Sequence, residues 1–174
     1  MSGNIAPSAY VENGVQISIH SIVDGGAKIR TGVKIFHHTV IRENVEIGER
    51  TVVGHCVVIE RDTKIGCDCT IQSNTHITGE AVIGDRVFIG PGVTTSNEKN
   101  IANQGRTTPK IRGPIIGNGV RIGAGCLIAP GVRIGANAFI QAGTFVVEDV
   151  PAGEVWGGRG RAKKVRNVPE SEWL

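Results

Sequence analysis

Five histidines are the first residues in this 174-residue chain to suggest chemistry. His20 and His38 are 18 positions apart, as are His37 and His55, and Asn74 and His76 follow within the next stretch. An imidazole takes up or releases a proton near neutral pH, and a neighbouring amide can orient a substrate group. Such a set suits group transfer to an amine or hydroxyl if one element brings it together. Each histidine taken alone reads as a surface turn residue. Their spacing therefore raises the question of which element repeats at that interval.

The answer lies in the aliphatic residues. Ile or Val recurs at every sixth position from Ile5 through Val11, Ile17 and Val23 to Ile89, and again from Ile116 through Ile122 to Val146. Four residues after each stands a small or β-branched side chain, such as Ser21, Thr39, Thr51, Cys69 or Val87. An amphipathic helix needs apolar residues three and four apart, which a period of six does not supply. Two-residue strands joined by tight turns do, with Gly, Asn and Asp at the turns. Three hexads close one triangular coil, so the expected fold is an all-β parallel β-helix with coils about 4.8 Å apart.

The count fails after Thr95, over a polar stretch from about residue 96 to 114 that contains Pro109 and Pro114. It reads as one loop extruded at a corner, where Lys99, Arg106, Lys110 and Arg112 are available to phosphates. The β-helix domain spans 1–152, and 153–174 is a short basic tail. Writing the chain in rows of three hexads puts His20, His37, His38 and His55 at one corner, followed by Ser73 and Asn74, with His76 outward on the adjoining strand. With the loop confined to one corner, the same edge continues as Ala124–Gly125 and Ala142–Gly143. That edge is polar in its first half and bare in its second, where a thin extended ligand can lie against the backbone.

Composition limits the alternatives. Aromatic residues make up only 4% of the chain and there are 25 glycines, as a narrow aliphatic core with many turns requires. The net charge of +3 comes largely from Arg159, Arg161, Lys163, Lys164 and Arg166, a local cluster that suits a small phosphorylated ligand better than nucleic acid. No membrane span or signal peptide is read, and the expected location is the cytoplasm. Cys56, Cys67, Cys69 and Cys126 form neither a disulfide framework nor a zinc knuckle, and are read as reduced and mainly structural.

The hexads IGDRVF, IGNGVR, IGAGCL and IGANAF resemble those of the hexapeptide-repeat acyltransferases, and the resemblance implies that the β-helix is left-handed. The run IQSNTHITGEAVIGDRVFIGPGVTTSN, with IIGNGVRIGAGCLIAPGVRIGANAFIQAG after the loop, is similar to the bacterial nucleotide-sugar N-acetyltransferases. The resemblance implies a homotrimer that uses acetyl-CoA as cosubstrate, with no metal, to acetylate a nucleotide-linked amino sugar for surface polysaccharides. Asn74 matches the Asn of that group's Gln-Asn-Asn-Val-Ser motif, where His76 replaces Ser. Asn97 matches the Asn of Phe-Thr-Asn, where Thr95–Ser96 replaces Phe-Thr. Asn74, His76 and His55 are thus expected to be catalytic, and His37, His38 and Asn97 to bind substrate. Ala124, Gly125, Ala142, Gly143, Arg161 and Lys163 are expected to hold CoA, with a peptide N–H of the glycine-rich corner on the oxyanion. Two rivals stand beside this reading: a zinc site like that of γ-class carbonic anhydrases, and a non-catalytic structural solenoid.

Overall fold

A two-residue strand can bury only one of its two side chains, so each hexad turns its Ile or Val inward and the preceding residue outward. The computed structural model describes residues 4–99, 111–158 and 162–173. In it the choice repeats from Asn4–Ile5 to Phe145–Val146. The strands stack into three parallel sheets, here the first, second and third faces, which begin at Asn4–Ile5, Tyr10–Val11 and Gln16–Ile17. Ile5 pairs with Val23 and Ile59 with Ile77, so each coil is three hexads long. This is the parallel β-helix that the repeat predicts, left-handed as the resemblance implies.

The inward aliphatic column is dry. Ile29, Ile41, Ile47, Ile59, Ile77 and Ile89 are fully buried, each contributing about 1.5–3 kcal/mol before chain entropy is subtracted. The small column does more than fill volume. Thr51 Oγ1 donates to Gly66 O at 2.9 Å and accepts from Cys69 N–H at 3.0 Å. Thr39 makes the same pair of bonds with Gly54 O and Val57 N–H, at 2.7 and 3.3 Å. Cys69 and Cys126 take the same role with Sγ donors 3.1 Å from Gly84 O and Gln141 O. These side chains therefore join successive coils through groups that would otherwise be buried unpaired.

At the corners the second turn residue takes the left-handed conformation, as His20, His38, Cys56 and Asn74 show with φ of 63°, 61°, 54° and 60°. The loop leaves at the corner between the first and second faces. Ile83 pairs directly with Ile116 across the insertion, so the stacking register stays intact. The base of the loop is closed by Arg112 N–H donating to Asn97 O at 2.8 Å.

The basic stretch after residue 152 extends the third face. Glu154–Gly157 adds in parallel to Phe139–Ile140, and Lys163–Asn167 returns antiparallel to it. Val155, Trp156, Ala162 and Val168 are buried there, so the hairpin closes the C-terminal end of the prism.

Candidate functional site

The histidine corner lies between the third and first faces, and its coils are joined by one ladder of peptide hydrogen bonds. Cys56 N–H donates to His37 O at 3.0 Å, Asn74 N–H to His55 O at 2.9 Å and Gly92 N–H to Ser73 O at 3.1 Å. The ladder continues across the loop insertion, with Gly125 N–H to Pro91 O at 2.9 Å and Gly143 N–H to Ala124 O at 2.8 Å. The polar half and the bare half therefore form one continuous edge.

Within the polar half the rings stack. His20 lies over His38 with centroids 5.2 Å apart and planes 5° from parallel, and His37 over His55 at 5.3 Å and 2°. Phe36 packs obliquely against His55 at 5.0 Å, while the His55 peptide N–H donates to Ser73 Oγ at 3.1 Å. Gly54 makes this closure possible, since a Cβ there would lie 2.6 Å from Ser73 N. His55 is exposed yet held by a ring above, a ring beside and a hydroxyl below. Parallel rings about 5 Å apart do not converge on one ion, and among the described residues no three His, Cys, Asp or Glu side chains gather around a metal position.

Asn74 is exposed in the next coil, and His76 projects from the first face two residues on. His76 Nε2 lies 3.9 Å from Glu60 Oε1, a neighbour that the sequence reading missed. The coil period places Glu60 beside Thr78, and only the side-chain rotations bring it towards His76. Cys56, read as structural with the other cysteines, is exposed in the same column as His38 and Asn74. Cys69 and Cys126 are buried, and burial pushes both thiols up from their ordinary value.

The bare half is open. Gly92, Gly125 and Gly143 have φ of 68°, 65° and 70°, and nothing lies within 4 Å of where a Cβ would stand. Their own N–H groups are already used in the ladder, so they cannot be the oxyanion donors expected of this corner. The preceding residue supplies the free donors instead. In one coil of the polar half the first-turn N–H is taken, His55 N–H donating to Ser73 Oγ of the next coil at 3.1 Å. Ala142 has no such side chain, and among the described residues Ala124 N–H and Ala142 N–H have no acceptor.

Asn97 does not join this group within one chain. It sits at the opposite edge of the first face, where its Nδ2 donates to Gly79 O at 3.3 Å. With Lys99, Arg112, Pro130 and Gly131 it lines a cavity of about 390 Å³ at the root of the loop. Lys163 is exposed on the closing hairpin opposite Gly157. Arg161, Arg106 and Lys110 lie outside the described residues.

Comparison with known proteins accords with this geometry. The family model for the bacterial transferase hexapeptide (six repeats) matches residues 26–61, 62–97 and 113–147, more than half of the chain. No curated protein sequence matches. Among solved structures, a hexapeptide-repeat-containing acetyltransferase from Vibrio cholerae O1 biovar eltor, complexed with acetyl coenzyme A, superposes with a TM-score of 0.61. It is 25% identical over 71% of each chain. A variant of AntD, an N-acyltransferase from Bacillus cereus complexed with dTDP and coenzyme A, gives 0.67 at 16% identity over 90% of this chain and 84% of its own. The polySia-specific acetyltransferase NeuO gives 0.66 at 18% identity over 94% and 84%, respectively. The chain belongs to the bacterial transferase hexapeptide-repeat family, and it is an acyltransferase.

Proposed function

We propose that the chain is a cytoplasmic N-acetyltransferase that moves an acetyl group from acetyl-CoA to the amine of a nucleotide-linked amino sugar. The observation that carries this reading is the continuous corner, with two stacked histidine pairs and Asn74 at one end and open, glycine-turned coils with unused peptide donors at the other. The pantetheine arm lies along the bare half, and Ala124 N–H or Ala142 N–H polarises the thioester carbonyl. Asn74 positions the amine, and His55 or His76 removes its proton as nitrogen attacks the carbonyl carbon. The tetrahedral intermediate collapses with loss of the CoA thiolate, which is then protonated.

Asn97 and the loop enter through a second subunit. Ile22, Leu127 and Phe145 project from the first face at 38%, 48% and 43% exposure, on either side of His76 and Thr94, apolar positions that suit the flat contacts of a homotrimer. The first face carries the histidine corner on one edge and Asn97 with Lys99 and Arg112 on the other. Packing this face between subunits brings one chain's loop root to its neighbour's histidines, with both cations free to meet the acceptor's phosphates.

The test is acetyl transfer from acetyl-CoA to a panel of nucleotide-linked amino sugars, followed by product mass. Acetylation of none of them, with saturable acetyl-CoA binding retained, would remove the acceptor assignment. Lack of any acetyl-CoA binding by calorimetry would favour the structural solenoid.

A further inference from the structure

Along the first face the inward residue of every strand is Ile or Val, from Ile5 to Val146, except in Thr94–Thr95. Thr95 is 3% exposed, so a hydroxyl stands in the aliphatic column. Burying a hydroxyl costs free energy unless it is hydrogen-bonded. Val has the same shape and already serves this column at Val23 and Val146. The hydroxyl is therefore the feature of Thr95 to be explained.

The bond it makes is out of pattern. Elsewhere on this face the residue after a strand gives its N–H to a carbonyl of the following coil, as Arg42 does to Ile59 O and Glu60 to Ile77 O, both at 2.9 Å. Thr78 N–H goes instead to Thr95 Oγ1 at 2.8 Å, and the strand pairing is reduced to His76 with Thr94. The same hydroxyl donates to His76 O at 3.5 Å. It thus grips the backbone on both sides of Ile77. Asn97, two residues on, adds a second side-chain bond to the same coil, from Nδ2 to Gly79 O at 3.3 Å. Towards the following coil the ladder is ordinary, with Ser96 N–H donating to Ile128 O at 3.0 Å.

This is where the chain leaves the prism for the loop. Asn97 O accepts Arg112 N–H at 2.8 Å, and Arg112 O accepts Gly131 N–H at 2.9 Å. Lys99 and Arg112, which line the cavity at the loop root with Asn97 and Gly131, are therefore tied to the preceding coil through the side chains of Thr95 and Asn97.

We infer that Thr95 is a positioning residue for the acceptor, an inference that rests on the acceptor reading proposed above. Its buried hydroxyl fixes the loop root, so that Lys99 and Arg112 meet the phosphates of a nucleoside diphosphate at a preset separation and little ordering remains to be done on binding. A Val at this position fills the column but leaves Thr78 N–H buried without an acceptor, which the chain relieves by shifting towards the ordinary ladder. That shift carries Asn97 and Arg112 with it.

The experiment is calorimetric titration of the full chain with UDP, with dTDP and with acetyl-CoA, for wild type, Thr95→Val, Thr95→Ser and Thr51→Val. Circular dichroism checks that each variant is folded. Thr51→Val is the control, because it also removes a hydroxyl that joins two coils, but at the corner between the second and third faces. The expected result is a nucleotide Kd raised about tenfold in Thr95→Val. Thr95→Ser and Thr51→Val are expected to bind the nucleotide as wild type does, and all four proteins to bind acetyl-CoA alike. Wild-type nucleotide affinity in Thr95→Val, whatever its melting temperature, would overturn the inference. So would equal weakening by Thr51→Val, or failure of Thr95→Ser to restore affinity. Binding of neither nucleotide by the wild type, with acetyl-CoA still bound, would remove the acceptor reading and this inference together, whereas the other adverse results strike the inference alone.

Discussion

At the scale of the residue, His55 is the most constrained histidine, its ring stacked on His37 and packed against Phe36 and its peptide N–H held by Ser73 Oγ. Replacing a general base commonly costs about 10²–10⁴ in rate. His55→Ala is therefore expected to lower kcat on that scale while leaving the KM for acetyl-CoA close to wild type, as thiol release would show. Gly125→Asn tests the other half of the corner. Asn tolerates the left-handed turn, so folding persists, but its side chain occupies the open track, and the KM for acetyl-CoA should rise about tenfold, the equivalent of about 1.4 kcal/mol. Thr51→Val keeps the shape and removes both bonds of the hydroxyl, leaving Gly66 O and Cys69 N–H buried without partners. The expected loss is about 1–3 kcal/mol in denaturant unfolding, with Thr51→Ser near wild type. The period identified which residues are neighbours, and so it assembled the corner. It carries no information on side-chain rotation, which is why the Thr and Cys bonds between coils and the approach of Glu60 to His76 were not legible. Local counting also could not separate the glycine N–H groups, which the ladder uses, from the alanine N–H groups, which it leaves free.

At the scale of the element, the loop and the hairpin are additions to a regular stack. Because Ile83 pairs with Ile116 across the insertion, replacing residues 99–111 by a short turn should leave thermal unfolding nearly unchanged. It should also abolish acetyl transfer to a phosphorylated acceptor, because Lys99, Arg106 and Lys110 are lost. A large drop in melting temperature would show instead that the loop supports the coils. The insertion itself was plain in the sequence, where the six-residue count stops and restarts. The hairpin was not, because Glu154–Gly157 carries one hexad's worth of pattern and Lys163–Asn167 is basic and exposed, with Val165 its one apolar residue. Its burial depends on Trp156 and Val168 meeting the last coil, a contact set by tertiary packing.

For the whole molecule, stability accumulates coil by coil, and pairs of opposite charges on successive coils tie neighbours together on the outside. Lys28 meets Glu46 at 3.0 Å, Arg30 meets Glu12 at 2.9 Å and Arg50 meets Asp68 at 2.7 Å. The Arg50 guanidinium holds the Asp68 carboxyl below the ordinary value, and Lys28 does the same for Glu46. Carboxylates depressed in the folded state contribute stability that is complete above their unfolded pKa and lost as pH falls through the folded one. The pairs are exposed, so the effect is modest. Asp68→Asn should lower the melting temperature slightly at neutral pH, and the difference from wild type should vanish in strong acid. The covered C-terminal end could not be foreseen from the period.

One property of the histidine corner reaches beyond this chain's own chemistry. Its positions are quantised, because every coil advances the edge by one strand spacing, about 4.8 Å. The corner is thus a graduated scale on which imidazoles, amide and open turns occupy fixed marks. A longer or shorter acceptor cannot be accommodated by gradual adjustment along this edge. It requires a whole coil, three hexads at once, to be gained or lost between the marks. On the proposed reading of this corner, the spacing between the polar and bare halves sets the length of the molecule that lies across them.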